Sequence, residues 1–141
     1  METIHLGAIE IRFLVDEALS SGSMTMFEVR VPSGAKVPVP HSHDAFDETI
    51  YGLKGITAFT VDGVAHQLAA SDAVFIPRGV THGFVNSGEE DAVFLAVATP
   101  GIFGAAYFRE LREVLAAAAG GPPDRVALQE VMRRHGLSPA P

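Results

Sequence analysis

The chain contains no cysteine among its 141 residues, so disulfide bonds and thiolate metal sites are excluded. It has no apolar run long enough to span a bilayer, and its start lacks the basic and apolar segments of a signal peptide. We therefore expect a cytoplasmic protein. Positive charge is scarce, since 10 lysines and arginines stand against 17 acidic residues and the net charge is -7. Nucleic acids and anionic membranes bind basic surfaces, so we expect neither as a partner.

Hydrophobic residues make up 48% of the chain and charged residues 19%, which is typical of a soluble globular domain. The length indicates one domain, with enough residues to form a core without disulfides. The 14 glycines and 9 prolines fall between short apolar runs. This pattern predicts an all-β fold with many tight turns.

Alternating or continuous apolar runs predict the strands. Residues 4–15 alternate loosely and predict one strand, and Met24 to Val31 predict the next. Asp62-Gly63 is a strong two-residue hairpin turn, and the apolar run from Ala92 to Ala98 favours a strand buried on both faces. Further strands are predicted at residues 48–53, 56–61, 64–68, 73–76 and 81–85. In the segment 36–43, Pro38 and Pro40 cannot donate to a ladder, which indicates an edge or irregular strand.

After Thr99 the apolar period changes to that of a helix. The apolar side of the first helix is predicted to contain Tyr107, Phe108, Leu111, Val114, Leu115 and Ala118. Asp124 is a plausible N-cap for a second helix, which Gly136 would end. We therefore expect a β-barrel over residues 1–104 and two helices, within 105–141, packed on it.

Three histidines and one glutamate form the candidate metal site. His41 and His43 are one residue apart and would point the same way on a strand. Glu48 opens the next strand after a short turn, and His82 lies on a later strand. Neutral imidazoles with one carboxylate suit one divalent Fe, Mn, Ni, Co, Zn or Cu ion and suit Ca or Mg poorly. Four protein ligands leave about two open positions on a six-coordinate ion, which favours a catalytic or ligand-binding site.

Alternation along the strands predicts an apolar lining for this site. Ile50 faces inward with Glu48, and Phe84 faces inward with His82. The remaining candidates for the lining are Val39, Phe75 and Phe94. For either of these two phenylalanines, core packing is the alternative. Asp44 and Asp47 are expected to be solvated turn residues, with the orientation of an imidazole as the alternative role.

These residues occur in two motifs that resemble those of the cupin superfamily, over about residues 24–100. The residues matching its first motif are Gly34, His41, His43, Glu48 and Gly55. Those matching its second motif are Pro77, Gly79, His82 and Asn86. Ser71 stands where the family has glycine, which is tolerable in a turn without a positive φ. The C-terminal segment also resembles that of small single-domain bacterial cupins described as quercetin-dioxygenase-like.

The resemblance implies a double-stranded β-helix, or jelly-roll barrel, with a metal inside one end. It also implies a homodimer in which N-terminal strands pair or exchange. The intact set of ligands in an apolar pocket favours an oxygenase of the dioxygenase type, acting on a small chelating enol, aromatic or flavonol-like substrate, with Glu48 able to act as a base. The alternatives are a non-redox isomerase, cyclase or lyase, and a module that binds a small ligand or metal without turnover.

Overall fold

The computed structural model describes residues 2–37 and 39–141. Within them, two antiparallel sheets enclose the core and two helices cover one end of it. In chain order the elements are β1 (Thr3–Leu6), β2 (Ile9–Val15), β3 (Thr25–Val31), β4 (His41–His43), β5 (Asp47–Lys54), β6 (Thr57–Val61), β7 (Val64–Leu68), β8 (Ala73–Ile76), β9 (His82–Val85), β10 (Ala92–Thr99), α1 (Ala105–Ala117), α2 (Arg125–Arg134) and β11 (Leu137–Pro139).

The strand order shows how the chain winds between the sheets. The larger sheet has the order β1-β2-β3-β10-β5-β8, and the smaller has the order β11-β4-β9-β6-β7. Strands distant in sequence become neighbours, as where β10 lies between β3 and β5. The predicted double-stranded β-helix is confirmed, with the two C-terminal helices after it.

The inner faces of the strands follow the apolar periodicity of the sequence. On β3, Phe27, Val29 and Val31 are buried, while the residues between them are partly exposed. The prediction of a single strand over residues 4–15 is wrong. Gly7 has a φ of 60°, and the chain turns there, so that β1 and β2 pair as a hairpin within one chain.

Turn geometry agrees with the sequence at one site and differs at another. Asp62 and Gly63 have φ values of 50° and 75°, as expected for the predicted two-residue hairpin turn between β6 and β7. Ser71 has a φ of 72°, so the condition under which serine is tolerable at this position, a turn without a positive φ, is not met. Glycine adopts this conformation without steric cost, which explains why glycine is usual at this position.

The segment before β4 is irregular, as its prolines predicted. Pro38 lies outside the described residues. Lys36 forms an isolated bridge to Val85, and regular pairing begins only at His41. The described part of this segment nevertheless forms backbone hydrogen bonds to β9, including one from the N–H of Val37 to the carbonyl of Phe84 at 3.0 Å, so the pairing before β4 is short and irregular.

Both predicted helices are present, and a strand follows them that we did not predict. Asp124 caps α2, since its Oδ1 accepts hydrogen bonds from the backbone N–H groups of Val126 and Ala127 at 3.0 and 3.1 Å. After Gly136, the three residues of β11 pair with β4. Three residues that end in proline show no strand periodicity. Neither helix of the described residues is long and apolar enough to cross a bilayer.

Gly55, which ends the first motif, provides a test of the close packing between this turn and the backbone of Asp91. Its φ is 63°, and a Cβ there would lie 2.5 Å from the backbone oxygen of Asp91. We expect Gly55→Ala to lower the free energy of unfolding by about 3 kcal/mol, because backbone strain and overpacking add. Gly63→Ala is the control, since its φ is 75° and no atom of the described residues lies within 4 Å of the added Cβ. That variant should lose only about 1 kcal/mol. Equal losses in urea denaturation would contradict the close approach at Gly55.

Candidate metal centre

Three imidazoles converge inside the barrel at the end covered by the helices. His41 and His43 lie on the inner face of β4, and His82 pairs with His41 across the sheet on β9. The ring centroids are 4.5 to 5.1 Å apart, and one ligand atom from each ring lies within 4.8 Å of the others. All three side chains are buried. The group is able to hold a metal ion.

Backbone carbonyls orient two of the rings. The Nδ1 of His41 is 2.7 Å from the carbonyl oxygen of Val39, and the Nδ1 of His82 is 3.0 Å from that of Val80. A carbonyl can only accept, so each Nδ1 carries the proton and each Nε2 keeps a free lone pair. The alternative role of Asp44 and Asp47, orienting an imidazole, is therefore filled for His41 and His82 by the backbone carbonyls two positions before them.

His43 differs from the other two histidines. It is only 1% exposed, yet neither ring nitrogen has a hydrogen-bond partner within the described residues. Its ring stacks on Phe46 at a centroid distance of 4.3 Å and an angle of 18°. A buried imidazole without a partner is costly, and a cation coordinated by one nitrogen would supply that partner. This donor set therefore fits the divalent metal that the sequence predicted.

Burial keeps the three histidines neutral. It is the main cause that lowers the pKa of His41 to about 3, and the neighbouring His82 lowers it further. The pKa of His43 is lowered by burial and then by His41 and His82, and burial also lowers the pKa of His82. Neutral imidazoles can donate lone pairs to a metal at physiological pH.

Glu48 lies beside the imidazoles at the start of β5. Its Oε1 is 3.8 Å from the Nε2 of His82, but it lies outside the group whose ligand atoms are mutually within 4.8 Å. Burial raises the pKa of Glu48 to about 8, so the contact joins two neutral groups at pH 7. The structure thus brings all four predicted residues together, with the carboxyl group at the margin of the three nitrogens.

The two neighbouring aspartates lie outside this group. Asp47 accepts hydrogen bonds from Arg78, whose Nε and Nη2 lie at 3.3 and 3.2 Å. These bonds lower the pKa of Asp47. Asp44 accepts a hydrogen bond from Ser138 at 2.8 Å. Both aspartates therefore stabilise the loops around the site.

An apolar cavity of about 60 Å³ adjoins the histidines. Of the predicted lining residues, Val39, Ile50, Phe84 and Phe94 lie in its wall. Phe75 does not, because its side chain points to the outer face of β8 and is 56% exposed. Phe75 and its neighbour Ile76 are both apolar, so alternation alone did not determine which of the two faces inward.

Much of the wall comes from parts of the chain that we did not assign to the site. The N-terminal hairpin and the C-terminal segment contribute Leu6, Ile9, Ile11, Phe103, Tyr107, Phe108, Leu111 and Met132. The helical period predicted that Tyr107, Phe108 and Leu111 would be buried, but it carries no signal for what they cover.

The pKa of Glu48 can be tested through stability. The folded protein keeps this carboxyl protonated between its ordinary pKa of 4.5 and about 8, whereas the unfolded chain releases the proton, so stability is lost as pH rises through this window. We expect Glu48→Gln, which cannot ionise, to gain about 2 kcal/mol relative to wild type between pH 6 and pH 9. Urea denaturation of metal-free protein measures this difference. For Glu113→Gln, which alters an exposed carboxylate, the difference in free energy of unfolding from wild type should be the same at pH 6 and pH 9. If this difference is also the same at both pH values for Glu48→Gln, the raised pKa of Glu48 is wrong.

Replacing His43 should have opposite effects on the stability of metal-free protein and on zinc binding. Replacing it with leucine removes buried polar atoms without partners, so His43→Leu should raise the free energy of unfolding of metal-free protein by about 1 kcal/mol. The same change should weaken zinc binding at least about tenfold. Thermal melts in chelator and zinc titrations check both effects. His66→Leu, on an exposed position of β7, should change neither, and unaltered zinc affinity in His43→Leu would remove His43 from the ligand set.

Comparisons with known proteins agree with this geometry. The sequence model of the family described as "Cupin domain" matches residues 27–98, which include all three histidines and Glu48. An uncharacterized protein of Aquifex aeolicus (strain VF5) is 37% identical over 62 residues, or 44% of this chain. The match spans half of that curated relative's length.

Solved structures show the same architecture. A predicted oxalate decarboxylase from Thermotoga maritima is 28% identical with a TM-score of 0.63, over 70% of this chain and 90% of that chain. The polyketide cyclase RemF from Streptomyces resistomycificus is 28% identical with a TM-score of 0.59, over 66% of each chain. With the family model matching slightly more than half of its residues, this chain belongs to the Cupin domain family.

Proposed function

We propose that this protein is a metal-dependent enzyme that transfers a proton on a small substrate with two oxygen donors, and that Glu48 carries the proton. The observation that supports this most directly is the position of Glu48. Its buried carboxyl lies 3.8 Å from the Nε2 of His82, beside but outside the group of three imidazoles. A group placed there can exchange protons without giving up a structural ion pair.

The proposed roles follow from the contacts of each residue. His41, His43 and His82 would hold a divalent ion through their ring nitrogens. When bound, such an ion supplies Lewis acidity, which polarises a carbonyl oxygen and acidifies the neighbouring C–H or O–H group. Glu48 in its ionised form accepts that proton, becomes a carboxylic acid, and returns the proton to the same or another atom of the substrate. The apolar wall excludes water from this exchange.

The pKa of Glu48 suits this role. A general acid or base works best when its pKa is near the working pH, and burial raises the pKa of Glu48 to about 8. An ordinary exposed glutamate, with a pKa near 4.3, would be a much weaker base. This pKa belongs to the metal-free protein. Nearby positive charge favours the ionised form, so a bound cation would lower the pKa of Glu48 and increase the fraction of carboxylate that can accept a proton.

The cavity favours a short substrate. Its volume is about 60 Å³, and one water needs roughly 10–15 Å³ by the same measure, so about four to six non-hydrogen atoms fit. This size suits a 2-oxo acid, a dicarboxylate or a short 1,3-dicarbonyl compound. A three-ring flavonol exceeds this volume. The names of two structural neighbours, a predicted oxalate decarboxylase and a polyketide cyclase, do not describe oxygenases and support proton-transfer or lyase chemistry.

The oxygenase is the second candidate, and the apolar wall favours it. Ile50, Phe84 and Phe94 surround the imidazoles with hydrocarbon, and a small apolar molecule such as O2 enters such an environment readily. Several of the metals suited to this donor set are redox-active. Proton removal by Glu48 is also a reasonable first step of that reaction, so the two candidates share one residue role.

Deuterium exchange tests the shared step. Protein loaded with Zn, Mn, Fe, Co or Ni is incubated without oxygen in D2O with pyruvate or malonaldehyde, and NMR follows the loss of the α-proton signals. We expect exchange faster than with the free metal, and at least about a hundredfold slower in Glu48→Gln. Glu113→Gln should exchange like wild type. Exchange no faster than with free metal, for every metal and both substrates, would overturn the proposal.

Oxygen uptake separates the two candidates. With the same substrates in air, the non-redox enzyme consumes no oxygen and remains active with zinc. Oxygen consumption in proportion to substrate, seen with iron, manganese, cobalt or nickel and absent with zinc, would assign the protein to the oxygenases.

A further inference from the structure

The strand β4, which carries His41 and His43, forms few backbone contacts with its neighbour β9. β4 consists of three residues and pairs with β9 at one register position, His41 opposite His82. The backbone N–H of Gly79 adds one hydrogen bond to the carbonyl of His43 at 2.7 Å. Pro40, directly before β4, has no N–H to donate. The position of His41 and His43 must therefore depend on a further contact.

The C-terminal strand β11 provides that contact on the other side of β4. Its three residues pair with the whole of β4, with Leu137 opposite His43 and Pro139 opposite His41. At one end, the N–H of Asp44 donates to the carbonyl of Gly136 at 2.8 Å, and at the other the N–H of Ala140 donates to the carbonyl of Pro40 at 2.8 Å. β4 is thus an inner strand because the last residues of the chain return to it.

Leu137 is the residue of β11 nearest to the unusual histidine. Residues directly opposite each other in an antiparallel pair share a face, with Cβ atoms about 4.5–5.5 Å apart. Leu137 is fully buried (0% exposed) and therefore lies beside His43 on the inner side of the sheet. Because no hydrogen bond within the described residues holds this ring, its orientation depends on packing against Phe46 and Phe103 and on the buried neighbour opposite it in the sheet, Leu137.

We propose that β11 positions the metal-binding strand and that Leu137 is a positioning residue for His43. The inference rests on the metal site proposed above. Metal affinity is then set partly by the C-terminal segment, which lies outside the matched family region of residues 27–98. The same segment supplies Tyr107, Phe108 and Met132 to the cavity wall, so it both closes the cavity and orients one of its ligands.

The test compares two equally buried leucines of the C-terminal segment. Leu137→Ala removes packing beside His43. Leu128→Ala is the matched control, because Leu128 is 1% exposed but belongs to α2. Zinc affinity of the full chain is measured by competition with a chelating dye, at a temperature where both variants are folded by circular dichroism. We expect Leu137→Ala to bind zinc about tenfold more weakly, and Leu128→Ala to stay within about twofold of wild type.

A second readout reports on the strand without metal. In metal-free protein, amide hydrogen exchange at residues 41–44 should accelerate in Leu137→Ala and remain at the wild-type rate in Leu128→Ala. If Leu137→Ala does not fold, the milder pair Leu137→Val and Leu128→Val takes its place, with an expected loss of about threefold in the former alone.

The outcomes separate this inference from the metal site itself. Two results would overturn the positioning role. In the first, both variants bind zinc as tightly as wild type. In the second, both lose the same amount of affinity, which indicates general destabilisation. If wild type binds no zinc, or His43→Leu binds as well as wild type, the metal site is wrong and the positioning role falls with it. Tight binding by wild type together with unaffected binding by the Leu137 variant contradicts the positioning role alone.

Discussion

The structure depends on the burial of four ionisable side chains in an apolar interior. Removing a charge from water costs several kcal/mol, and the protein avoids this cost by keeping each group neutral. Burial lowers the pKa values of His41, His43 and His82 and raises that of Glu48. The metal-free site therefore carries no net charge at neutral pH, while it offers nitrogen lone pairs and one proton that can be released. A divalent cation would compensate the unpaired polar atoms that burial leaves, most clearly those of His43.

The barrel makes this arrangement possible because it brings distant parts of the chain to one place. β4 and β9 lie in the smaller sheet and β5 lies in the larger one, so the imidazoles and Glu48 approach the cavity from opposite walls. The histidines are oriented in two ways. Backbone carbonyls hold His41 and His82 through Nδ1, whereas His43 packs against the rings of Phe46 and Phe103. Directed hydrogen bonds and close packing thus contribute separately to one ligand set.

The C-terminal segment links stability with function. It buries the aromatic side chains of α1 against the open end of the barrel, and its last strand adds to the sheet that carries the ligands. The same segment contributes Phe103, Tyr107, Phe108 and Met132 to the wall of the apolar cavity beside the histidines.

The sequence by itself determined the local features of this protein. Period-two alternation on β3, the hairpin turn at Asp62 and Gly63, the cap at Asp124, and the spacing of His41, His43, Glu48 and His82 all depend on neighbours in the chain, and each was predictable from them. Only the tertiary structure decided which elements meet. The outward position of Phe75, the place of Glu48 at the margin of the imidazoles and the return of β11 to β4 depend on contacts between residues far apart in sequence. The energy of such contacts comes from packing and burial, which a single sequence does not specify residue by residue.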